Sequence, residues 1–122
     1  MYIGKKEISP TAEQPFIIAE LGSTHEGQVD RAKKLAESAA EAGADAVKFQ
    51  IWQCEHVCTP DNPHYQTFRR LEFSAQQWHE ILSFARRAGI TILADVDDEE
   101  CTDLAVGQHQ ERWSKMSGYC KY

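Results

Sequence analysis

Two hydrophobic periods alternate along this chain. The run from Phe16 to Leu21, rich in Ile, is bounded by Pro15 and Gly22 and reads as a buried strand. From Asp30 the period becomes helical: Ala32, Leu35, Ala36 and Ala39 fall at i, i+3, i+4 and i+7, with Arg31, Lys33, Lys34, Glu37 and Glu41 on the other side. Gly43 stands where a left-handed residue after a helix belongs, and Asp45 to Gln50 reads as a second strand. Ser74 and Gln77 spell a capping box ahead of Trp78, Ile81, Leu82 and Ala85, again at helical spacing, and Gly89 closes that helix. Ile90 to Asp95 reads as a third strand. Asp97 or Asp98 can cap a third helix carrying Cys101, Leu104 and Ala105, with Glu99 and Glu100 suited to its positive end. Arg112 to Met116 can open a fourth strand. The pattern thus predicts strands near 16–21, 45–50, 90–95 and 112–116 and helices near 29–42, 74–88 and 98–106.

Alternation of this kind implies α/β architecture with parallel strands, because a crossover helix is how parallel neighbours are joined. A faint repeat supports it: Ala42-Gly43 and Ala88-Gly89 each lead from a helix into a strand. The segment from Ile51 to Phe73 breaks the rhythm. It is polar, holds Pro60, Asn62 and Pro63, and reads as a long loop of the kind that often carries function. The strand period of two puts Phe16, Ile18 and Glu20 on one face with Ala46, Lys48, Gln50 and with Thr91, Leu93, Asp95. The opposite positions, Ile17, Ala19, Leu21, Val47, Phe49, Ile92 and Ala94, are apolar and suit a face beneath helices. Glu20, Lys48, Gln50 and Asp95 therefore gather toward the carboxyl ends of the strands, where parallel sheets place their active sites. A self-satisfying Lys–Glu–Asp network is the structural alternative, but desolvation makes charges inside strands costly, which favours a functional role for Lys48 and Glu20. Asp95 divides evenly between the two. His25 falls in the loop after the first strand, where an exposed histidine is more often solvated than catalytic.

Composition narrows the function. The 122 residues are 42% hydrophobic and 26% charged, ordinary for a globular domain, and too few for two. With 13 Lys and Arg against 19 Asp and Glu, the net charge of −6 offers no basic excess for nucleic acid or anionic membrane. No apolar run approaches a membrane span, and Met1 to Glu7 lacks the apolar stretch of a secretory signal, so a cytoplasmic protein with reduced thiols is expected. Cys54, Cys58 and nearby His64 could suggest zinc, but no second ligand pair follows at finger spacing; Cys54, Cys58, Cys101 and Cys120 read instead as buried or incidental thiols.

Two stretches carry a resemblance. Phe16-Ile-Ile-Ala-Glu-Leu-Gly-Ser-Thr-His-Glu-Gly27 and Ala39-Ala-Glu-Ala-Gly-Ala-Asp-Ala-Val-Lys-Phe-Gln50 look like the first two βα units of the sialic acid synthases, which condense phosphoenolpyruvate with an N-acetylated amino sugar to give a nonulosonic acid. Ile3-Gly4-Lys5 to Ile8 resembles the small hairpin that precedes the barrel in that family, and Ser117-Gly118 the Ser-Gly after its fourth strand. The resemblance implies a TIM-barrel fold, of which this chain would supply about half. Residues 1–15 would form the hairpin, and 16–122 strands one to four with their helices, as a single partial-barrel domain. By the same resemblance Glu20 is the catalytic group at the reacting sugar carbon, Lys48 holds phosphoenolpyruvate, and Gln50, His25 and Ser117 belong with the substrate-binding residues.

The chain departs from the family pattern in places. Thr24 stands for an asparagine before His25, Ala94-Asp95-Val96-Asp97 for Ser-Thr-Pro-Phe, and Tyr119 where a sugar-binding glutamate is expected. A carboxylate at Asp95 would repel a phosphate. A complete family enzyme uses a divalent metal, whose ligands come from later strands, so none is expected to bind this chain alone. A full barrel takes about 250 residues, so the half barrel is expected to associate with itself or with a missing second half. The alternative to a synthase is a non-catalytic half barrel that binds phosphosugars or assembles with a partner chain. The related heptulosonate-phosphate synthases fit the Glu20 to Gly27 motif less well.

Overall fold

The alternation of periods is realised as two successive βαβ units preceded by a hairpin. The computed structural model describes residues 1–106 apart from Lys5 and Asp98. The strand expected at 112–116, Ser117, Tyr119 and Cys120 lie outside the described residues, as does the Asp98 cap. In chain order the elements are β1 (Tyr2–Ile3), β2 (Lys6–Glu7), β3 (Ile18–Glu20), α1 (Val29–Glu41), β4 (Ala46–Ile51), α2 (Cys54–Val57), α3 (Tyr65–Leu71), α4 (Ala75–Arg87), β5 (Thr91–Val96) and α5 (Glu99–Val106).

β3, β4 and β5 form a parallel sheet in that spatial order, with Ile18 opposite Ala46 and Ala46 opposite Thr91. The α/β class and the parallel order follow the sequence pattern. β3 is shorter than the expected 16–21, although the Leu21 amide beyond its end still donates to the Lys48 carbonyl at 3.0 Å. Its pairing nonetheless reaches Ile17, whose carbonyl accepts from the Asp45 and Ala46 amides at 2.9 and 3.2 Å.

One face of the sheet is sealed. Val47, Phe49 and Ile51 are buried in a single cluster with Ala32 and Ala36 of α1, Trp78, Ile81, Leu82 and Ala85 of α4, and Cys101 and Ala105 of α5. Period two on the strand meets period 3.6 on the helices there, and each large apolar side chain so buried is worth about 1.5–3 kcal/mol. The capping box starts α4 as its sequence dictates: the Ser74 hydroxyl accepts from the Gln77 amide at 3.3 Å, and the Gln77 side chain accepts from the Ser74 amide at 2.9 Å.

The expected loop from Ile51 to Phe73 is the main correction. It contains α2 and α3, each too short to display a helical period in the sequence. Buried Cys54 and Cys58 anchor the first of them, and Trp52 meets Phe68 edge to face at 5.6 Å between ring centres. Pro60, Asn62 and Pro63 fall between the two helices, which is why the segment reads as loop.

The hairpin β1–β2 is tied to the sheet's amino-terminal end. Lys6 Nζ donates to Asp45 Oδ2 and to the Pro15 carbonyl, both at 2.8 Å, and the Ile17 amide donates to the same Asp45 oxygen at 2.7 Å. These bonds hold the Asp45 carboxyl below its usual pKa, the Ile17 amide foremost and Lys6 next.

Candidate functional site

Strand register assembles the polar groups. Glu20 lies opposite Lys48 and Lys48 opposite Leu93; two residues on, Gln50 lies opposite Asp95. Because Val47, Phe49 and Ile51 turn toward the helices, Lys48 and Gln50 must emerge on the other face. Glu20, at the carboxyl end of β3, and Asp95, near the end of β5, reach Lys48 from the two neighbouring strands.

Lys48 Nζ lies 2.6 Å from Glu20 Oε2 and 2.9 Å from Asp95 Oδ2. Hydrogen bonds to Glu20 and then to Asp95 raise the Lys48 pKa above its ordinary value, so the ammonium persists at neutral pH. Glu20 is also gripped from the following turn: its Oε1 accepts from the Gly22 amide at 3.2 Å. The group stays open to ligands, with Lys48 30% exposed, Glu20 45% and Asp95 56%. The Gln50 amide oxygen lies beside the turn that follows Glu20, 3.9 Å from where a Cβ on Gly22 would be. A fixed cation between two carboxylates, with an amide beside it, can hold an anionic group and pass a proton to a neighbouring oxygen.

His25 goes elsewhere. The reading of an exposed loop histidine is corrected: His25 is 3% exposed, its ring 4.4 Å from Phe73 and edge-on to Trp78 at 6.3 Å. That aromatic cluster continues through Trp78 to Phe49, on the helix-covered side of β4 and opposite the face that presents Lys48. Its Nδ1 accepts from the Gly27 amide at 3.0 Å, and burial pushes its pKa down, so the ring is held neutral. Gly27 itself is obligatory. Its φ is +73°, and a Cβ there would come within 2.2 Å of the Arg70 carbonyl oxygen. His25 and Gly27 therefore lock the turn after β3 against the end of α3. The sequence missed this because the aromatic partners lie about fifty residues downstream, and no local period records which of them will meet His25.

No group of three His, Cys, Asp or Glu side chains among the described residues could hold a metal ion. Glu20 and Asp95 are spent on Lys48, and Cys54 Sγ donates to the Tyr65 carbonyl at 3.7 Å, while burial raises the Cys54 pKa away from the thiolate a metal requires. The described residues do not fit a divalent ion. Nor is any described helix long and apolar enough to cross a membrane.

Comparison with known proteins locates the fold. A family model described as the NeuB family matches residues 35–113. The chain is 37% identical over 100 residues to the spore coat polysaccharide biosynthesis protein SpsE of Bacillus subtilis, covering 73% of this chain and 27% of that protein. It is 37% identical over 102 residues to the N-acetylneuraminate-9-phosphate synthase of Mus musculus, covering 73% and 28%. Among solved structures, the N-acetylneuraminic acid synthetase of Leptospira borgpetersenii, crystallised with citrate, superposes with a TM-score of 0.67 at 26% identity, over 73% of this chain and 31% of the other. The chain thus spans less than a third of the length of each of these relatives.

Proposed function

The chain belongs to the NeuB family, and we propose that it supplies the phosphoenolpyruvate-facing strands of a synthase that condenses phosphoenolpyruvate with an N-acetylated amino sugar to a nonulosonic acid. The observation that carries this reading is the placement of Lys48 between Glu20 and Asp95 on the open face of a parallel sheet, toward its carboxyl end. On the same reading β3, β4 and β5 are consecutive staves of a (β/α)₈ barrel. Their sequential parallel order, with α1, α4 and α5 sharing one core cluster, supports it.

In that enzyme the Lys48 ammonium holds the phosphoenolpyruvate anion, with the Gln50 amide beside it. The methylene carbon of phosphoenolpyruvate forms the new bond to the open-chain sugar aldehyde, and the aldehyde oxygen gains a proton relayed by Glu20. Water adds to the resulting cationic carbon and loses a proton. Phosphate then leaves with cleavage of the carbon–oxygen bond, and a keto acid remains. His25 shapes the turn that carries Glu20 and Gly22 without touching substrate.

Calorimetric titration of phosphoenolpyruvate into the wild type, Lys48→Ala and Glu20→Ala tests the assignment. Lys48→Ala is expected to weaken binding at least tenfold, about 1.4 kcal/mol by the standard conversion. Glu20→Ala should retain binding while losing turnover wherever phosphate release is measurable. Unaltered phosphoenolpyruvate affinity in Lys48→Ala refutes the site.

A further inference from the structure

The two carboxylates on Lys48 are not equivalent. Glu20 is held at a second point by the Gly22 amide, at the rim of a turn locked by His25 and Gly27. Asp95 approaches from the opposite strand, near the end of β5, and is the more exposed of the two, 56% against 45%. Lys48 has three N–H donors and two are committed to these carboxylates. The cluster of Glu20, Lys48 and Asp95 carries a net negative charge. A phosphate that seeks Lys48 therefore meets an intramolecular competitor before it meets the cation, and one carboxylate must yield.

We propose that Asp95 is that competitor: a specificity-determining latch that occupies Lys48 until a phosphate-bearing ligand displaces it, while Glu20 stays in place beside the bound ligand. The inference rests on the reading of Lys48 as the phosphoenolpyruvate-binding cation. Its chemical consequence is selective. Free inorganic phosphate offers only its charge and pays for displacing Asp95. Phosphoenolpyruvate also presents a carboxylate, which can take up the Lys48 N–H that Asp95 vacates. The latch lowers the affinity for simple anions and leaves the site to ligands with two anionic groups.

The test is titration of inorganic phosphate and of phosphoenolpyruvate, at fixed pH and ionic strength, into the full-length protein and its variants. Asp95→Asn removes the charge at nearly constant shape. It is expected to tighten phosphate binding about tenfold, the scale of one unit charge a few ångströms away at a protein surface. Asp95→Ser should reproduce the gain, guarding against an Asn-specific contact or a folding defect. Glu20→Gln should give a clearly smaller gain, and the double variant Lys48→Met/Asp95→Asn none.

Phosphate affinity unchanged in both Asp95 variants overturns the latch, as does an equal gain in Glu20→Gln. If phosphoenolpyruvate binding needs Lys48 but neither Asp95 variant gains phosphate affinity, the latch fails and the synthase reading stands. If both Asp95 variants gain phosphate but the wild type itself binds phosphoenolpyruvate no better than phosphate, the latch stands as an anion gate and the synthase reading falls.

Discussion

The two faces of β4 behave as different materials. Val47, Phe49 and Ile51 are essentially inaccessible, buried in one cluster with residues of α1 and α4. One residue out of phase, Lys48 and Gln50 look onto the open face, where Lys48 keeps nearly a third of its surface and its contacts are ionic. Stability on the covered face comes from burial, which is non-directional and large in sum; the open face contributes directed charge and little stability. Folding and chemistry are thus separated by a single step along one strand, and each can be perturbed with little effect on the other.

The largest effect expected is on the covered face. Phe49→Ala should cost about 3–5 kcal/mol in urea denaturation, since it opens a cavity against Trp78, whose ring centre lies 5.8 Å away. A loss below about 1 kcal/mol would break the distinction between the faces. Ser74→Ala should cost about 1 kcal/mol in the same assay by removing the hydroxyl that caps α4. Ser74→Asp should recover most of it. Lys48→Met should change stability by less than about 1 kcal/mol, because partly exposed ion pairs contribute little, even though anion binding is lost. A collapse of the fold in that variant would make the Lys–Glu–Asp group structural after all.

The smallest effect sharpens the comparison by pH. Burial lowers the His25 pKa below its ordinary value of 6.5, so the unfolded chain binds the proton more readily than the folded one. The His25 contribution to stability is therefore present in full above pH 6.5 and is lost as pH falls from there through the lower folded value. Denaturation midpoints followed downward from pH 7 should show this loss, and His25→Gln should flatten that part of the profile. Asp45 acts in a lower window. Its folded pKa lies below the usual carboxylate range, so its stabilisation is present above that range and disappears as pH falls through the folded value. Asp45→Asn removes that second slope and leaves the His25 slope intact.

Much of the architecture was legible because its signals are local. Period two in Ala46 to Ile51, period 3.6 in α1 and α4, and the Ser74–Gln77 box each follow from residues within a few positions of one another. The same parity separated Lys48 from Phe49, so the open face could be named before any contact was known. α2 and α3 were not legible, because four and seven residues hold less than two helical turns and prolines interrupt the segment.

The sequence by itself determined the alternation of β3, α1, β4, α4, β5 and α5, the parallel sheet, and the gathering of Glu20, Lys48, Gln50 and Asp95 on one face, because the backbone period dictates which side chains share a side. Tertiary structure alone decided what those groups do to one another. Strand register brought Glu20 and Asp95 to the same ammonium at 2.6 and 2.9 Å, and packing of the Phe73 and Trp78 rings took His25 out of solvent and turned it into a lock for the Gly27 turn. Register and burial depend on residues from 28 to 53 positions apart (Glu20 with Lys48, His25 with Trp78), and no local period records which of them will meet.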